Sequence, residues 1–409
     1  MSSQRRTVVF VAPFLAATTL RFLHAAAALP GVALGLVTSD PLDRLPVDLR
    51  RRLAGYQRVG DCFDEQALLA GILELCGRRP PWRILGALEQ LQLTLAGVRE
   101  RLGVEGLDVD AAKNFRDKDR MKTALRAAGV PCAGHGQALS AAEVLPIVER
   151  LGFPLVLKPP AGAAAANTIR AGNHDELRAY LERMPPSPDR PLLIEEFVVG
   201  EEHSFDAISI GGKVVWHSLT HYRPGPLAVL ENPWIQWTVL LPREIDFPQY
   251  DDIRAVGSRT LDALGMKTGL SHMEWFRRPD GSIAVSEIAA RPPGAQFTTL
   301  MSYAHDKDFY AAWSELMIFD RFDPPPRAWA AGIAYLRGQG SGRVARIHGL
   351  ERAQRELGSL VVEAELPKPG QLPASSYEGE GYVVLRDRDT GKVADALKRV
   401  VELVRVELA

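Results

Sequence analysis

Glu274, Glu287 and Arg291 are residues whose types and spacing could act on a phosphate group. The sequence Arg-Pro-Asp-Gly at 278–281 predicts a turn between two strands, and residues two apart along a strand share a face. Glu274 therefore projects together with His272. Glu287 projects together with Arg291 if its strand continues that far. One hairpin is thus expected to present both carboxylates and the guanidinium.

Two pairing registers of this hairpin place the carboxylates on one face. Pairing of Arg277 with Ser282 places Glu274 opposite Val285 and diagonal to Glu287. A two-residue slip places the two carboxylates directly opposite each other. Both registers leave the carboxylates roughly 5–8 Å apart.

This pair of carboxylates predicts a metal site. Like charges so close are unfavourable unless a cation or a proton intervenes. Magnesium takes hard oxygen ligands, commonly one or two carboxylates together with phosphate oxygens. Arg291 adds a fixed positive charge, and phosphoryl transfer depends on positioning and on neutralisation of charge. The alternative is a solvated hairpin with unrelated surface acids, but the combination with Arg291-Pro-Pro-Gly294 favours the metal site.

Lys158 ends a short strand whose other residues are apolar. A lysine in that position must reach solvent, pair with an acid or contact a ligand. The small residues 161–166 that follow let the backbone approach an anion, and their amides can act as donors. The alternative is a flexible surface loop. Lys118, at the start of a predicted helix, is typical of a surface residue when taken alone.

Two further segments indicate contacts to small molecules. Residues 195–199 continue an apolar strand and could offer backbone groups to a purine edge, and the acids within 200–206 could hold ribose hydroxyls. Farther along, Arg223 could bind a carboxylate, while Trp234 and Trp237 could line an apolar or aromatic pocket. His272 is another candidate for contact with a substrate. The alternative is a set of core aromatics beside a solvated arginine.

The elements that must position these residues alternate between strand and helix. In residues 7–110, strands are expected at 7–11, 32–37 and 82–85, and helices at 20–29 and 66–76. This order predicts a parallel doubly wound sheet. The first strand is not followed by Gly-x-Gly-x-x-Gly, which argues against a dinucleotide site and a Rossmann oxidoreductase.

The pattern changes after Asp117. The expected helices are 118–128, 141–151, 175–184, 253–264 and 392–406, and the expected strands are 154–158, 191–198 and a hairpin of 202–210 with 213–219. The Pro-rich segment at 323–326 indicates a boundary. The predicted domains are 1–110, 111–190, 191–325 and 326–409.

Composition excludes some classes of protein. A chain of 409 residues favours two to four domains. With 49 basic and 50 acidic residues, the net charge is −1, so no overall field attracts nucleic acid or an anionic membrane. The spacing of the three cysteines fits neither a metal site nor a disulfide framework, which favours the cytoplasm.

Apolar segments are candidates for targeting or membrane signals. Residues 8–17 could imitate a signal peptide, but 8–13 is better interpreted as a buried first strand. No apolar run in the sequence is long enough to span a membrane.

The ordered motifs resemble the ATP-grasp superfamily over about residues 110–325. The matching segments are 117–122, Lys158 with its small-residue loop, 195–198, 200–204, 272–274 and 287–294. Residues 342–350 and 379–383 resemble the extra domain of amino-acid ligases of the bacilysin and carnosine-synthase type. The resemblance implies an α/β chain, α+β in its ATP-grasp part, with an N-terminal parallel doubly wound domain and a small C-terminal α+β domain.

The resemblance also implies a nucleotide site. The expected ATP contacts are Lys118 and Lys158 to the phosphates, Glu195 to the adenine amino group, the backbone of Phe197 and Val198 to the ring, and Glu202 to the ribose. The loop from Pro160 to Asn167, including Ala163 and Ala164, would close over the phosphates.

For metal and chemistry, the resemblance implies that Glu274 and Glu287 bind one or two magnesium ions, with manganese as an alternative. Arg291 would act in catalysis by stabilising an acyl-phosphate and its tetrahedral successor. Lys158, the second expected catalytic residue, would neutralise the transferring phosphoryl group. Ala289 departs from the family pattern, which often has Asn there as a further ligand. The Ala-rich loop is a second departure from the usual Gly/Ser-rich form.

The expected activity is that of an ATP-dependent ligase that joins a small-molecule carboxylate to an amine through an acyl-phosphate and so forms an amide bond. Amino acids are the expected substrates. The alternatives are an ATP-grasp carboxylase or purine-pathway-type ligase, and a nucleotide-binding regulatory protein without turnover. No nucleic-acid or membrane partner is expected, and a homodimer is the expected assembly.

Overall fold

The computed structural model describes residues 5–162, 168–232, 234–323, 326–374, 376 and 378–409, and the elements below belong to these ranges. Within them, no helix combines the length and the apolar character needed to cross a membrane. Ala163 and Ala164, expected near the phosphates, lie outside the described residues.

The N-terminal region is a parallel sheet covered on both faces. Its elements are β1 (Arg6–Ala12), α1 (Ala17–Ala28), β2 (Val32–Thr38), α2 (Val47–Arg52), β3 (Gly55–Arg58), α3 (Glu65–Leu75), β4 (Arg83–Leu85), α4 (Gln92–Leu102) and α5 (Val109–Arg116), with short 3-10 helices at Leu42–Arg44 and Glu89–Leu91. The strand order is β3-β2-β1-β4, and all pairs are parallel. Alternate residues of β1 enter two different cores, which explains its continuous apolar run.

The next region is a small antiparallel sheet with two helices on one face. Its elements are α6 (Lys118–Ala127), β5 (His135–Ala138), α7 (Ala141–Leu151), β6 (Leu155–Lys158), β7 (Ile169–Ala171), α8 (His174–Arg183) and β8 (Leu192–Glu196). The strand order among the described residues is β5-β8-β6-β7. The Asp117 carboxylate accepts hydrogen bonds from the amides of Asp119 and Arg120, so it caps α6 and fixes Lys118 in the first turn.

A large antiparallel sheet forms the centre of the molecule. The remaining elements are β9 (Glu201–Ile210), β10 (Lys213–Arg223), α9 (Pro226–Glu231), β11 (Thr238–Leu241), a 3-10 helix (Pro248–Tyr250), α10 (Asp251–Leu264), β12 (Gly269–Arg277), β13 (Ile283–Ala289), α11 (Phe297–His305), α12 (Phe309–Phe319), β14 (Ala330–Leu336), β15 (Gly338–Gly340), β16 (Val344–His348), α13 (Leu350–Leu357), β17 (Val361–Glu365), β18 (Gly381–Asp387), α14 (Thr390–Leu403) and β19 (Arg405–Leu408). Within the described ranges the order is β13-β12-β9-β10-β11-β14-β18-β17, beside a small sheet β15-β19-β16.

The large sheet crosses the boundary predicted at 325/326, because β14, β18 and β17 continue the sheet begun by β9 to β13. The predicted domain limits remain predictions.

The prediction of one helix over 392–406 is wrong at its end. That helix stops at Leu403, and 405–408 pairs with β15 and β16. Buried Val404 and Val406 flank exposed Arg405, which is the alternation of a strand.

The predicted hairpin forms, and its carboxylates lie directly opposite each other, as the slipped pairing predicts. Near the turn, however, the strands adopt neither of the two predicted registers. Arg277 pairs with Ile283 and Trp275 with Val285, and a bulge then places Glu274 directly opposite Glu287. A regular ladder from the turn would turn Glu287 to the other face of the sheet, because side chains alternate. The extra residue of the bulge therefore brings the two carboxylates onto one face.

Candidate active site

A cavity of about 960 Å³ lies where the N-terminal region, the small antiparallel sheet and the large sheet meet. Its floor is one face of the large sheet. The residues on this face alternate with apolar residues of the opposite face, as strand geometry requires. Polar side chains on this face belong to Glu202, Ser204, Asp206, His272, Glu274 and Glu287, and of these Ser204 and Asp206 are fully buried beneath the lining.

Lysine side chains neutralise one side of the floor. The Glu287 carboxylate lies 3.2 Å from Nζ of Lys118 and 3.8 Å from Nζ of Lys158. Lys118 also donates to the carbonyl of Gly162 at 3.0 Å. Burial opposes ionisation of Glu287, but the lysine charges outweigh it and hold its pKa well below the ordinary value. The structure therefore brings together three residues that the sequence predicted for one site.

Glu195 lies between two lysines. Its carboxylate is 3.0 Å from Nζ of Lys158 and 3.3 Å from Nζ of Lys122, a fully buried residue that also donates to the carbonyl of Ser286 at 2.6 Å. Sequence reasoning missed Lys122. Its signal was the spacing of four residues from Lys118, which places both on one face of α6. The predicted contact of Glu195 with adenine remains a prediction. In this structure the Glu195 carboxylate pairs with Lys122 and Lys158.

Phe197 and Val198 follow β8 and line another part of the cavity. The Arg170 guanidinium lies 4.4 Å from the centroid of the Phe197 ring. Glu202 lines the same cavity. Burial, together with the negative charges of Glu274 and Glu287, raises the pKa of Glu202 well above its ordinary value.

His272 is held by Asp206, one of the acids within 200–206 that the sequence assigned to ribose hydroxyls. Its Nδ1 lies 2.6 Å from Oδ1 of Asp206, and its Nε2 lies 3.7 Å from Oε1 of Glu274. The Ser204 hydroxyl donates to the other oxygen of Asp206 at 3.1 Å. Burial disfavours the charged imidazole, but the Asp206 charge outweighs it and raises the pKa of His272 to about 9. The sequence carried no signal for the pairing of Asp206 with His272.

Arg291 reaches across to the N-terminal region. It donates to Oε2 of Glu89 from Nη2 at 3.0 Å and from Nε at 3.2 Å. Glu89 also accepts from Nη1 of Arg116 at 3.0 Å. Sequence reasoning missed Glu89 and Arg116, because a single acid in a short 3-10 helix carries no pattern. Two distant parts of the chain are thus joined at the cavity wall through this carboxylate.

The expected substrate residues fall into different places. Trp237 is 2% exposed, stacks on Tyr335 with ring centroids 4.6 Å apart, and lines the cavity with Tyr222 and Phe297. Arg223 is exposed at the cavity. Trp234 is 62% exposed and lies outside the described lining of the cavity. The tertiary structure therefore brings Trp237 and Arg223 to the site but leaves Trp234 apart.

The donor set fits magnesium bound together with phosphate. Within the described ranges, no group of three or more His, Cys, Asp or Glu side chains could hold a metal ion. Glu274 and Glu287 provide two hard oxygen donors, and Ala289, opposite His272, contributes no donor. Because magnesium often keeps waters and phosphate oxygens among its ligands, two carboxylates are sufficient from the protein.

The chain is similar in sequence and in fold to known proteins. No family model matches the chain. Uncharacterized protein y4rH of Sinorhizobium fredii is 26% identical over 360 residues, which cover 85% of this chain and 70% of that protein. The L-arginine-specific L-amino acid ligase of Bacillus subtilis is 26% identical over 250 residues, and this alignment covers 59% of each protein, less than two thirds of the ligase's length.

The solved structure of an L-amino acid ligase from Bacillus licheniformis superposes with a TM-score of 0.79 over 100% of both chains, at 18% identity. The chain therefore has the fold of this ligase and is similar in sequence to an L-amino acid ligase. The expected resemblance to ATP-grasp ligases and the α/β fold class are confirmed. In this chain the strands β9, β12 and β13 carry the floor of the cavity, whereas α6 and β6 supply the lysines.

Proposed function

We propose that the chain joins a carboxylate to an amine through an acyl-phosphate, using ATP, and that amino acids are its substrates. The observation that carries this proposal is the direct pairing of Glu274 with Glu287, with the lysines Lys118 and Lys158 next to Glu287. Arg291 lines the same cavity. The relationship to L-amino acid ligases supports the amino-acid substrates.

Two steps complete the proposed reaction. In the first, an oxygen of the substrate carboxylate attacks the γ-phosphorus of ATP, the bond to the bridging oxygen breaks, and ADP leaves. In the second, the amine attacks the acyl carbon and loses a proton, and the bond from that carbon to the phosphate oxygen breaks. The products are the amide, ADP and inorganic phosphate.

The proposed roles follow from the charges around the cavity. Lys118 and Lys158 neutralise the phosphates, and Glu195 fixes Lys158 in place through its 3.0 Å ion pair. Arg291 stabilises the charge on the acyl-phosphate and on the tetrahedral species formed by the amine. Oriented charges in a site that excludes water cost little reorganisation when the reaction occurs.

The nucleotide subsite is assigned to the part of the cavity after β8. The backbone of Phe197 and Val198 would contact adenine, Glu195 its amino group, and Glu202 the ribose. The loop of residues 160–167, with Ala163 and Ala164, would cover the phosphates. These assignments rest on the motif order and, for the residues that the structure describes, on their shared position along one cavity.

Glu274 and Glu287 would hold magnesium, or manganese in its place. One or two ions are proposed, and Ala289 favours a shell completed by water and phosphate. When bound, the metal ion neutralises charge on the transferring phosphoryl group.

The amino-acid subsite is assigned to the aromatic end of the cavity. Tyr222, Trp237 and Phe297 form an apolar wall there, and their ring centroids are 5.8 to 6.4 Å apart. His272 and Arg223 supply polar groups at the same cavity. A wall of aromatic rings with a few charged groups favours amino acids with apolar side chains.

The free thiols Cys62, Cys76 and Cys132 support a reducing compartment, and we place the reaction in the cytoplasm. A homodimer is the proposed assembly, by analogy with ligases of this fold. Size-exclusion chromatography with light scattering tests this assembly directly.

A screen of amino-acid pairs tests the proposed reaction. The protein is incubated with magnesium and ATP, phosphate release is measured, and products are identified by mass spectrometry. At least one pair should give a dipeptide in a one-to-one ratio with phosphate. Glu287→Gln should reduce this turnover at least about 100-fold, because a metal and lysine contact is lost. Glu182→Gln, at an exposed position on α8, is the matched control and should leave turnover unchanged.

A nucleotide-binding regulatory protein is the second candidate, and Ala289 is the observation that favours it. ATP binding without phosphate release across all pairs would support that candidate. Release of phosphate that depends on bicarbonate but not on an amine would instead indicate a carboxylase or purine-pathway-type ligase. Near-normal turnover of Glu287→Gln would refute the metal assignment.

A further inference from the structure

We propose that Arg21, Thr299 and Gln296 are positioning residues that hold the loop carrying Arg291 in a strained conformation. The inference rests on the proposed function, because Arg291 is given its role there. The loop runs from Arg291 to Gln296, between β13 and α11, and its residues Arg291 to Ala295 line the cavity.

The end of this loop contains two consecutive residues in the left-handed region. Ala295 has φ of 49° and Gln296 has φ of 61°, although neither residue is glycine. Side chains other than glycine seldom adopt this conformation, and it persists only where the surroundings fix it. Gln296 immediately precedes α11, and its carbonyl accepts the amide of Leu300 at 2.9 Å. The strained pair therefore sets the direction in which the chain leaves the cavity wall.

Thr299 fixes the side chain of Gln296. The buried Thr299 hydroxyl donates to Oε1 of Gln296 at 2.9 Å. The same hydroxyl accepts from Nη1 of Arg21 at 2.9 Å and lies 2.8 Å from the hydroxyl of Tyr310. One hydroxyl thus joins the strained turn to α1 of the N-terminal region and to α12.

Arg21 is itself oriented by a carboxylate on β17. Its Nη2 lies 2.8 Å from Oε1 of Glu363. Tyr303 and Tyr382 donate their hydroxyls to Glu363 at 2.9 and 2.7 Å. Arg21 is therefore not a solvated cation, since both sides of its guanidinium have fixed partners. The chain of contacts extends from β17 through α1 to the turn.

The first end of the loop is fixed by Arg291, which donates to Glu89. The strained end has one further contact, because the Tyr335 hydroxyl donates to the carbonyl of Ala295. With both ends held, the conformation at Gln296 determines where Pro292 to Gly294 lie along the cavity. A relaxed turn would shift this segment, and a shift of about 1 Å at such a site can reduce turnover about 100-fold.

The test uses Thr299→Val, which keeps the shape of the side chain and removes the hydroxyl, and Thr299→Ser, which keeps the hydroxyl. Hydrogen–deuterium exchange of the 290–300 segment is measured on the full chain without substrates. Exchange should rise in Thr299→Val and stay at the parental level in Thr299→Ser. This readout needs no turnover, so its failure is distinguishable from failure of the proposed ligase reaction.

Turnover is then measured on the pair found in the screen. Thr299→Val should lower kcat about 10-fold to 100-fold and change KM for ATP less than about twofold. The double variant Thr299→Val with Gln296→Gly should recover most of kcat, because glycine adopts the left-handed region without the supporting hydroxyl. A structural role alone would not give this recovery.

Parental exchange at 290–300 in Thr299→Val would overturn the proposal. So would a double variant that is no faster than Thr299→Val. If Thr299→Val does not fold, Arg21→Met takes its place with the same two measurements, because Arg21 is more exposed than Thr299. Arg21→Met should raise exchange in the same segment, and unchanged exchange would count against the proposal.

Discussion

The two faces of β9, β12 and β13 differ sharply in the side chains that they carry. The cavity face carries carboxylates and a histidine, among them Asp206, His272 and Glu274. The opposite face carries Phe205, Met273 and other apolar residues, packed against α5, α6 and α10. Consecutive residues of one strand therefore belong to different environments.

This difference shows how one sheet separates stability from chemistry. The apolar face removes large side chains from water, which is the main favourable contribution to folding. The cavity face concentrates like charges. Burial, and then the negative charges of Glu274 and Glu287, raise the pKa of Glu202 well above its ordinary value. A charged cavity face is tolerated because the opposite face holds the strands in place.

Substitution of Glu274 should give the largest effect on activity. If Glu274 holds magnesium as proposed, Glu274→Gln is expected to reduce phosphate release at least about 100-fold, because a bound metal ion supplies several kcal/mol of charge stabilisation. Its unfolding free energy should stay at or above the parental value, because a like charge is removed from beside Glu202 and Glu287. Phosphate release and urea unfolding measure the two quantities. A large loss of stability with intact turnover would contradict the assignment of chemistry to the cavity face and of stability to the apolar face.

The adjacent residue should behave in the opposite way. Met273 is fully buried in the apolar face, and Met273→Ala is expected to cost about 2–5 kcal/mol of unfolding free energy. Under conditions where the variant is folded, its kcat should remain near the parental value. Met273→Leu is the matched control and should cost less than about 1.5 kcal/mol. Urea unfolding of the three proteins, with turnover measured in parallel, provides the check.

A smaller effect is expected from His305, a buried residue of α11 on the aromatic side of the sheet. Burial first, and then the positive charge of Arg327, lower the pKa of His305 from 6.5 to about 4. Between these values the unfolded chain binds a proton that the folded protein does not bind, so stability falls as pH falls. This contribution is complete above pH 6.5 and decreases toward pH 4.

His305→Gln should therefore flatten the pH dependence of stability. The parent is expected to lose about 1 kcal/mol through this group between pH 7.5 and 5.5, whereas the variant should lack that part of the loss. Urea midpoints at the two pH values measure it. His174→Gln, at an exposed position, serves as the control and should keep the parental slope. An unchanged slope in His305→Gln would show that the pKa of His305 is the same in the folded and unfolded states.

Much of the fold follows from local sequence patterns. The apolar runs of β1 and β2 and the helices between them predict a parallel sheet, because strands buried on both faces must be apolar throughout. The hairpin of β12 and β13 follows from its turn sequence. Contacts between distant segments carry no such pattern, which is why the pairings of Glu89 with Arg291, of Asp206 with His272 and of Lys122 with Glu195 emerge only from the structure. The end of α14 was mistaken because alternation over a few residues resembles helical amphipathicity.

By itself, the sequence determined the order of the motifs and which residue types approach one site: Lys118, Lys158, Glu274, Glu287 and Arg291. Only the tertiary structure decided how they face each other. A one-residue bulge between Glu274 and Trp275 turns Glu287 toward the cavity. If the pairing of Trp275 with Val285 continued without this bulge, Glu287 would face the apolar core. The physical reason is the two-residue period of a strand, since a shift of one residue exchanges the two faces of a sheet.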